Sequence, residues 1–332
     1  MKKKKSTTFK VIITILIILL VLIVAAAIFV FTKLHSLNNS INESLDRDHS
    51  QLRQKAAKEG DPMTVVLYGI DDDAERQQEN LGQRSDSIVL MSINPKDKKT
   101  VMVSVPRDTR AKIVGKGTTE KINHAYAYGG PKMAVNSLEK LMDVPVDHYI
   151  SIDMDGVKTV VDELGGVTIT SNGSFITKDS TNTYQFTKGE QYKMDGKEAL
   201  AYMRSRKEDG AGGDEGRQLR QQQVITAVAR EAFSVNSVTK LNGIFKAAQD
   251  NLKTDLSFIQ LNRFKSDYDK AQDNVERLTI NGQNALGDDN LYYFYPDKNS
   301  LKEVKEKLKE NLNLKALRQI GLMSPNIEIK QL

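Results

Sequence analysis

The chain of 332 residues contains no cysteine and no tryptophan. Without thiols there is no thiol catalysis, no disulfide framework and no lipid attachment through cysteine. The absence is compatible with an oxidising exterior. Histidine is scarce as well. His35, His49, His124 and His148 stand alone, with no pair at metal-ligand spacing, which argues against a zinc site. No phosphate-binding glycine loop, nucleophile elbow, dinucleotide fingerprint or internal repeat occurs. The formal net charge is only +5, and beyond the first residues the lysines are spread along the chain. That spread argues against nucleic acid as a partner.

One long apolar run is present. Residues 11–31 hold a single polar side chain, Thr14, and four consecutive lysines from Lys2 to Lys5, with Lys10, precede them. Such a run spans a bilayer core of about 30 Å. The basic flank keeps residues 1–10 in the cytoplasm and sends the rest outside. Ala25-Ala26-Ala27 also fits a signal-peptidase site, but the run continues past it to Phe31, which favours an uncleaved single-pass anchor. Residues 32–60 are polar and helix-permissive and are expected to form a stalk. Asp61-Pro62 marks the start of a globular domain over 61–313, and the role of 314–332 stays open.

Residues 63–70 are nearly all apolar, as in a strand buried on both faces. The run ends in Asp71-Asp72-Asp73. Strands are predicted over 87–93 and 100–105, the first beginning beside Asp86 and the second followed by Pro106-Arg107-Asp108. Ligands gather where strand ends and loops converge. Two carboxylates brought together there repel, unless a hard divalent cation such as Mg²⁺ joins them and bridges to phosphate oxygens. Arg84 and Arg107 lie near Asp71 and Asp86 in sequence. Ordinary turn-capping aspartates are the alternative, open for Asp72 and Asp73. Helices are predicted over 133–142, 155–164, 195–203, 239–251, 256–270 and 298–311, with further strands over 147–153, 167–170, 275–280 and 291–295. Residues 172–189 read as an exposed hairpin or loop. The pattern is α/β in one domain. His124 reads as structural or substrate-lining, with no case as a general base.

The stretch from Tyr202 to Val224 carries the chemistry. Arg204 and Arg206 are two apart, which in an extended segment points both guanidinium groups to one side. A glycine-rich loop follows, and Asp214 fits the cap of a long helix. Arg217, Arg220, Gln221, Val224 and Val228 then share one stripe. A stripe that is apolar at one end and arginine-rich at the other suits an anion waiting at the helix N-terminus. The alternative is a solvated basic helix. Against it, no acidic residue follows these arginines at pairing distance before Glu231.

The chain resembles the LytR–CpsA–Psr family. The resemblance rests on Leu67-Tyr68-Gly69-Ile70-Asp71, Arg84-Ser85-Asp86-Ser87-Ile88, Ser104-Val105-Pro106-Arg107-Asp108, and Lys121-Ile122-Asn123-His124-Ala125-Tyr126 with Gly129-Gly130. It continues in Glu163-Leu164-Gly165-Gly166-Val167 and in Tyr202-Met203-Arg204-Ser205-Arg206 through Asp214, Arg217, Arg220 and Gln221. These six pieces stand in the family's order between about residues 63 and 235. The resemblance implies an α/β/α sandwich around a mixed sheet, with an apolar tunnel for a lipid. It also implies Mg²⁺-dependent transfer of an anionic glycopolymer, of the wall teichoic acid or capsule type, from undecaprenyl pyrophosphate to peptidoglycan. The acceptor would be the C6 hydroxyl of N-acetylmuramic acid. Asp71 and Asp86 would hold the metal. Arg84, Arg107, Arg204, Arg206 and Arg217 would hold pyrophosphate, supported by Arg220 and Gln221. Arg107, Arg217, Asp108 and Asp214 form the catalytic set, with Asp108, Asp214 or no residue as the base.

Two departures stand out. Asp73 occupies a position where the family often has arginine, and Glu215 one where an apolar residue is common. The glycines between Arg206 and Asp214 predict loop mobility. An envelope regulator and a non-catalytic polyprenyl-pyrophosphate or glycan binder remain as readings from other classes. A cytoplasmic part of about ten residues is too short for a DNA-binding domain.

Overall fold

The protein is described by a computed structural model for residues 41–58, 60–71, 83–234, 243–244, 246–257, 260, 271 and 274–314. The predicted anchor (11–31), the cytoplasmic tail, Asp73, the predicted helix over 256–270 for the most part, and residues 315–332 lie outside these residues. No described helix is long and apolar enough to cross a membrane.

The strands are β1 (Met63–Asp71), β2 (Arg84–Asn94), β3 (Lys99–Ser104), β4 (Arg110–Lys112), β5 (Thr119–Lys121), β6 (His148–Asp153), β7 (Val167–Thr170), β8 (Phe175–Lys178), β9 (Thr183–Phe186), β10 (Gln191–Met194), β11 (Leu252–Thr254), β12 (Val275–Thr279), β13 (Gly282–Leu286) and β14 (Tyr292–Pro296). The helices that matter here are α1 (His124–Met142), α2 (Met154–Leu164), α3 (Gly196–Arg204), α4 (Gly213–Ser234) and α5 (Lys298–Asn311).

Six strands form the central sheet in the order β11-β6-β1-β2-β3-β12. It is mixed: β1 runs parallel to β6 and β3 to β12, while β2 is antiparallel to both its neighbours. The apolar runs of β1 to β3 are buried because both faces are covered. On one face Val66, Tyr68, Leu90 and Val103 pack against Ala134, Leu138 and Met142 of α1 and Val304 and Leu308 of α5. On the other, Ile152 packs against Val160 and Leu164 of α2, and α4 crosses β2 and β3. Helices therefore flank a central mixed sheet on both sides.

Local sequence explains the helix ends. The side chain of Asp153 accepts from the N–H of Gly156 at the start of α2, and Gly165 ends it in the left-handed region at φ 85°. In α1 the chain kinks at Gly129 and Gly130, so that Pro131 opens the second segment.

The predicted stalk is corrected over its second half. Ile41 is buried with Ile152, Val160 and Leu164. Arg47 pairs with Glu139 at 2.8 Å and Arg53 with Asp147 at 2.6 Å. Residues 41–58 thus belong to the domain. A polar average concealed spaced apolar anchors and two arginines whose carboxylate partners lie far along the chain. The helix predicted over 239–251 is described only in part, and β4, β5, β10, β11 and β13 have no counterpart in the sequence reading.

Candidate functional site

The site forms where β1 ends, β2 begins and β3 runs out. Asp71 closes β1 opposite Arg84 in the β1–β2 ladder. Gly69 pairs with Ser87 but Ile70 pairs with Ser85, so Asp86 is the extra residue of a β-bulge. A bulge re-aims the side chain it carries. A Cβ on Gly69 would lie 2.9 Å from the Cβ of Ser87, so the close approach of the strands at the bulge requires glycine.

The carboxylate of Asp86 accepts a hydrogen bond from Nη1 of Arg107. Arg107 is held by its backbone, because its carbonyl accepts from Asn123 N–H at 3.2 Å and Thr109 N–H closes a turn onto Pro106 at 2.9 Å. Asp108 beside it receives Lys121 Nζ at 2.8 Å, and its second oxygen lies 3.7 Å from Arg107 Nε.

The N-terminal half of α4 is pinned over the same strand ends. Ser87 donates to Gln221 Oε1 at 3.0 Å, and Gln222 Nε2 donates to the Ser104 hydroxyl at 2.9 Å. One turn before Gln221 stands Arg217. Asp214 grips Arg217 with one oxygen at 2.7 Å and Arg206 with the other at 2.8 Å. Burial pulls the Arg217 guanidinium below its ordinary basicity, and Arg107 and Arg206 act in the same direction against Asp214 and Asp86. Its buried Nε has no hydrogen-bond partner among the described residues. Guanidinium groups brought close together suit an anion with several oxygens.

Three expectations change on contact with this geometry. Arg204 and Arg206 do not share an extended segment: Arg204 is the last residue of α3, exposed, and Arg206 follows the cap residue Ser205. Asp214 lies inside the first turn of α4, where it supplies the ion-pair partner that a search downstream of the arginines overlooked.

Arg220 is engaged inside the protein. It is fully buried. Its guanidinium donates to the carbonyls of Ala211 at 2.8 Å and Ser205 and to Asn172 Oδ1, and lies 4.8 Å from the centre of the Phe175 ring. Its terminal nitrogens are engaged by Ala211, Ser205 and Asn172, so it braces the loop between α3 and α4, while its buried Nε, like that of Arg217, has no hydrogen-bond partner among the described residues. That loop is correspondingly well anchored. Gly210 sits at φ 81°, and a Cβ there would lie 1.9 Å from the carbonyl of Ser174, while Ala211 is buried. Gly210 serves close packing here. Gln221 acts as a strut between α4 and β2.

The sequence reading missed Glu120. Its Oε2 lies 3.0 Å from Nδ1 of His124 and accepts from the Tyr128 hydroxyl at 2.6 Å. The spacing Glu-x-x-x-His was visible, but β5 was not, so the pair had no frame. Among the described residues no group of three or more histidine, aspartate or glutamate side chains gathers as for a metal ion. The Asp86 carboxylate is a hard oxygen donor of the kind Mg²⁺ takes, and Asp71 ends β1 opposite Arg84, close to it in the ladder.

The chain is similar to known proteins over most of its length. The family model described as LytR_cpsA_psr family matches residues 28–310. The chain is 39% identical over 286 residues to the polyisoprenyl-teichoic acid–peptidoglycan teichoic acid transferase TagU of Bacillus subtilis, covering 86% of this chain and 90% of that protein. The crystal structure of B. subtilis TagU superposes with a TM-score of 0.61 at 37% identity, over 76% of this chain and 97% of that one. A structure of TagT bound to LIIa-WTA superposes with a TM-score of 0.67 at 32% identity, over 82% of this chain and all of that one.

Proposed function

The chain belongs to the LytR–CpsA–Psr family, and from that premise we propose that it transfers an anionic glycopolymer of the wall teichoic acid type from undecaprenyl pyrophosphate to peptidoglycan. The acceptor is the C6 hydroxyl of N-acetylmuramic acid. The observation that carries the reading is the convergence of Arg107, Arg206 and the half-buried Arg217 beside Asp86. An arginine cluster at strand ends binds the phosphates. The adjacent carboxylates distinguish it from a simple anion trap.

Arg107 and Arg217, with Arg206 beside them, would meet the charge that develops on the breaking pyrophosphate, and Arg84 and Arg204 would complete the set. Fixed donors in a partly desolvated site stabilise a phosphoryl-transfer transition state without reorganisation. Asp71 and Asp86 would hold Mg²⁺, whose charge supplies neutralisation of phosphate oxygens. Asp214 orients Arg206 and Arg217 by engaging both. Asp86 does the same for Arg107. No covalent enzyme intermediate is needed, which suits a chain without cysteine. Residues 11–31 anchor the protein in the cell membrane, with 1–10 cytoplasmic and the catalytic domain outside, next to its lipid donor.

The test uses the full chain in detergent micelles, a lipid-pyrophosphate-linked disaccharide and a peptidoglycan oligomer, with and without Mg²⁺. Mass analysis should find a Mg²⁺-dependent phosphodiester adduct. An unchanged lipid, bound to folded protein, would replace the transferase with a binding module.

A further inference from the structure

We propose that His124, oriented by Glu120, accepts the proton of the acceptor hydroxyl; the inference rests on the transferase reading above. Glu120 lies in β5 and His124 opens α1, with Asn123 between them and the backbone of Arg107. The N–H of Asn123 donates to the Arg107 carbonyl, and Lys121 bridges to Asp108. The histidine is thus tied to the same strand end as the arginines.

Glu120 decides which nitrogen is available. Burial would raise its carboxyl, but hydrogen bonds from Tyr128, Thr118 and His124 and the charge of Lys116 hold it down at about 2. The carboxylate therefore only accepts, and Nδ1 of His124 carries the hydrogen. The lone pair is left on Nε2. No described residue hydrogen-bonds Nε2, it is not among the buried unsatisfied atoms, and the side chain is 15% exposed. The groups facing the ring are Glu120 and Lys121 from β5, Arg84 from β2 and Tyr128 from its own helix. Burial, Arg84 and Lys121 lower its basicity and Glu120 partly restores it, which keeps the imidazole neutral at neutral pH.

Three described carboxylates of the site are already engaged. Asp214 gives one oxygen to each of two arginines, Asp108 faces Lys121 and Arg107, and Asp86 holds Arg107. In the transfer step the acceptor oxygen bonds to the phosphorus that carries the polymer. The bond from that phosphorus to the bridging oxygen breaks, and its electron pair leaves with undecaprenyl phosphate. The hydroxyl proton goes to Nε2, and the imidazolium is neutralised by Glu120 until it loses the proton to water.

The full chain and its His124→Gln and Glu120→Gln variants should be assayed for transfer between about pH 5 and 8, where histidine titrates, alongside binding of the lipid-pyrophosphate disaccharide. The wild type should lose activity on the acid side with a midpoint below an ordinary histidine. His124→Gln should bind the lipid normally, transfer at least about tenfold more slowly and lose the acid limb. Glu120→Gln should move the limb to still lower pH, which a merely structural glutamate would not do. Transfer by His124→Gln within about twofold of wild type, with the same profile, would overturn the assignment. If His124→Gln does not fold, an unmoved acid limb in Glu120→Gln overturns it. A wild type that binds but never transfers would remove the reading underneath as well.

Discussion

Arg217 and Arg220 are three residues apart on one helix and do opposite work. Arg217 pairs with Asp214 at the site, beside Arg107 and Arg206. Arg217→Ala and Arg107→Ala should each lower transfer at least about tenfold while the domain still melts cooperatively; near-normal transfer by either would remove it from the site. Arg220 instead ties Ser205 and Ala211 to α4. Arg220→Ala should cost about 3 kcal/mol in denaturant unfolding, because carbonyls lose charge-assisted hydrogen bonds. Arg220→Lys should not restore it, since an ammonium cannot reproduce the planar fork. Asp214 is a third case. Half exposed, it contributes little to stability, so Asp214→Asn should shift unfolding by less than about 0.5 kcal/mol. The same variant should slow transfer severalfold by loosening Arg206 and Arg217, read from a parallel activity assay.

At the level of elements, the bulge in β2 is the decisive device. Regular alternation would aim Asp86 by strand parity alone, and the extra residue changes that. Gly69 makes room for it. Gly69→Ala should cost about 1–3 kcal/mol in thermal or denaturant unfolding, since Ser87 must move away from the new methyl group. It should also raise the Mg²⁺ concentration needed for half-maximal transfer, because Asp86 shifts with β2. An unchanged Mg²⁺ requirement in a destabilised variant would take Asp86 out of the metal set.

For the whole molecule, the apolar run and the domain are separate physical problems. The run is expected to partition into lipid by its length and lack of charge. The domain is held by two covered sheet faces and by residues 41–58, which pack against it. The full chain should sediment with membranes and resist alkaline extraction. Deletion of residues 1–31 should release a folded, soluble domain, and recovery of that deletion in the membrane pellet would contradict the anchor.

Much of this was legible from residue order. The strands read at 63–70, 87–93 and 100–105 announce themselves as apolar runs, and the structure places them at 63–71, 84–94 and 99–104. The α/β class and the cluster of arginines around residues 204–217 follow from local pattern and residue chemistry in the same way. Duties within the cluster did not. Whether an arginine binds a ligand or a carbonyl depends on what lies opposite it, and Asn172 and Phe175 lie some 45 residues before Arg220. The role of Asp214 as a bridge, the placement of Glu120 against His124 and the bulge at Asp86 were likewise settled by packing. A sequence determines which side chains can carry charge and which segments must be buried. Only the folded chain decides which donors and acceptors have already found each other, because pairing is a property of distance in space.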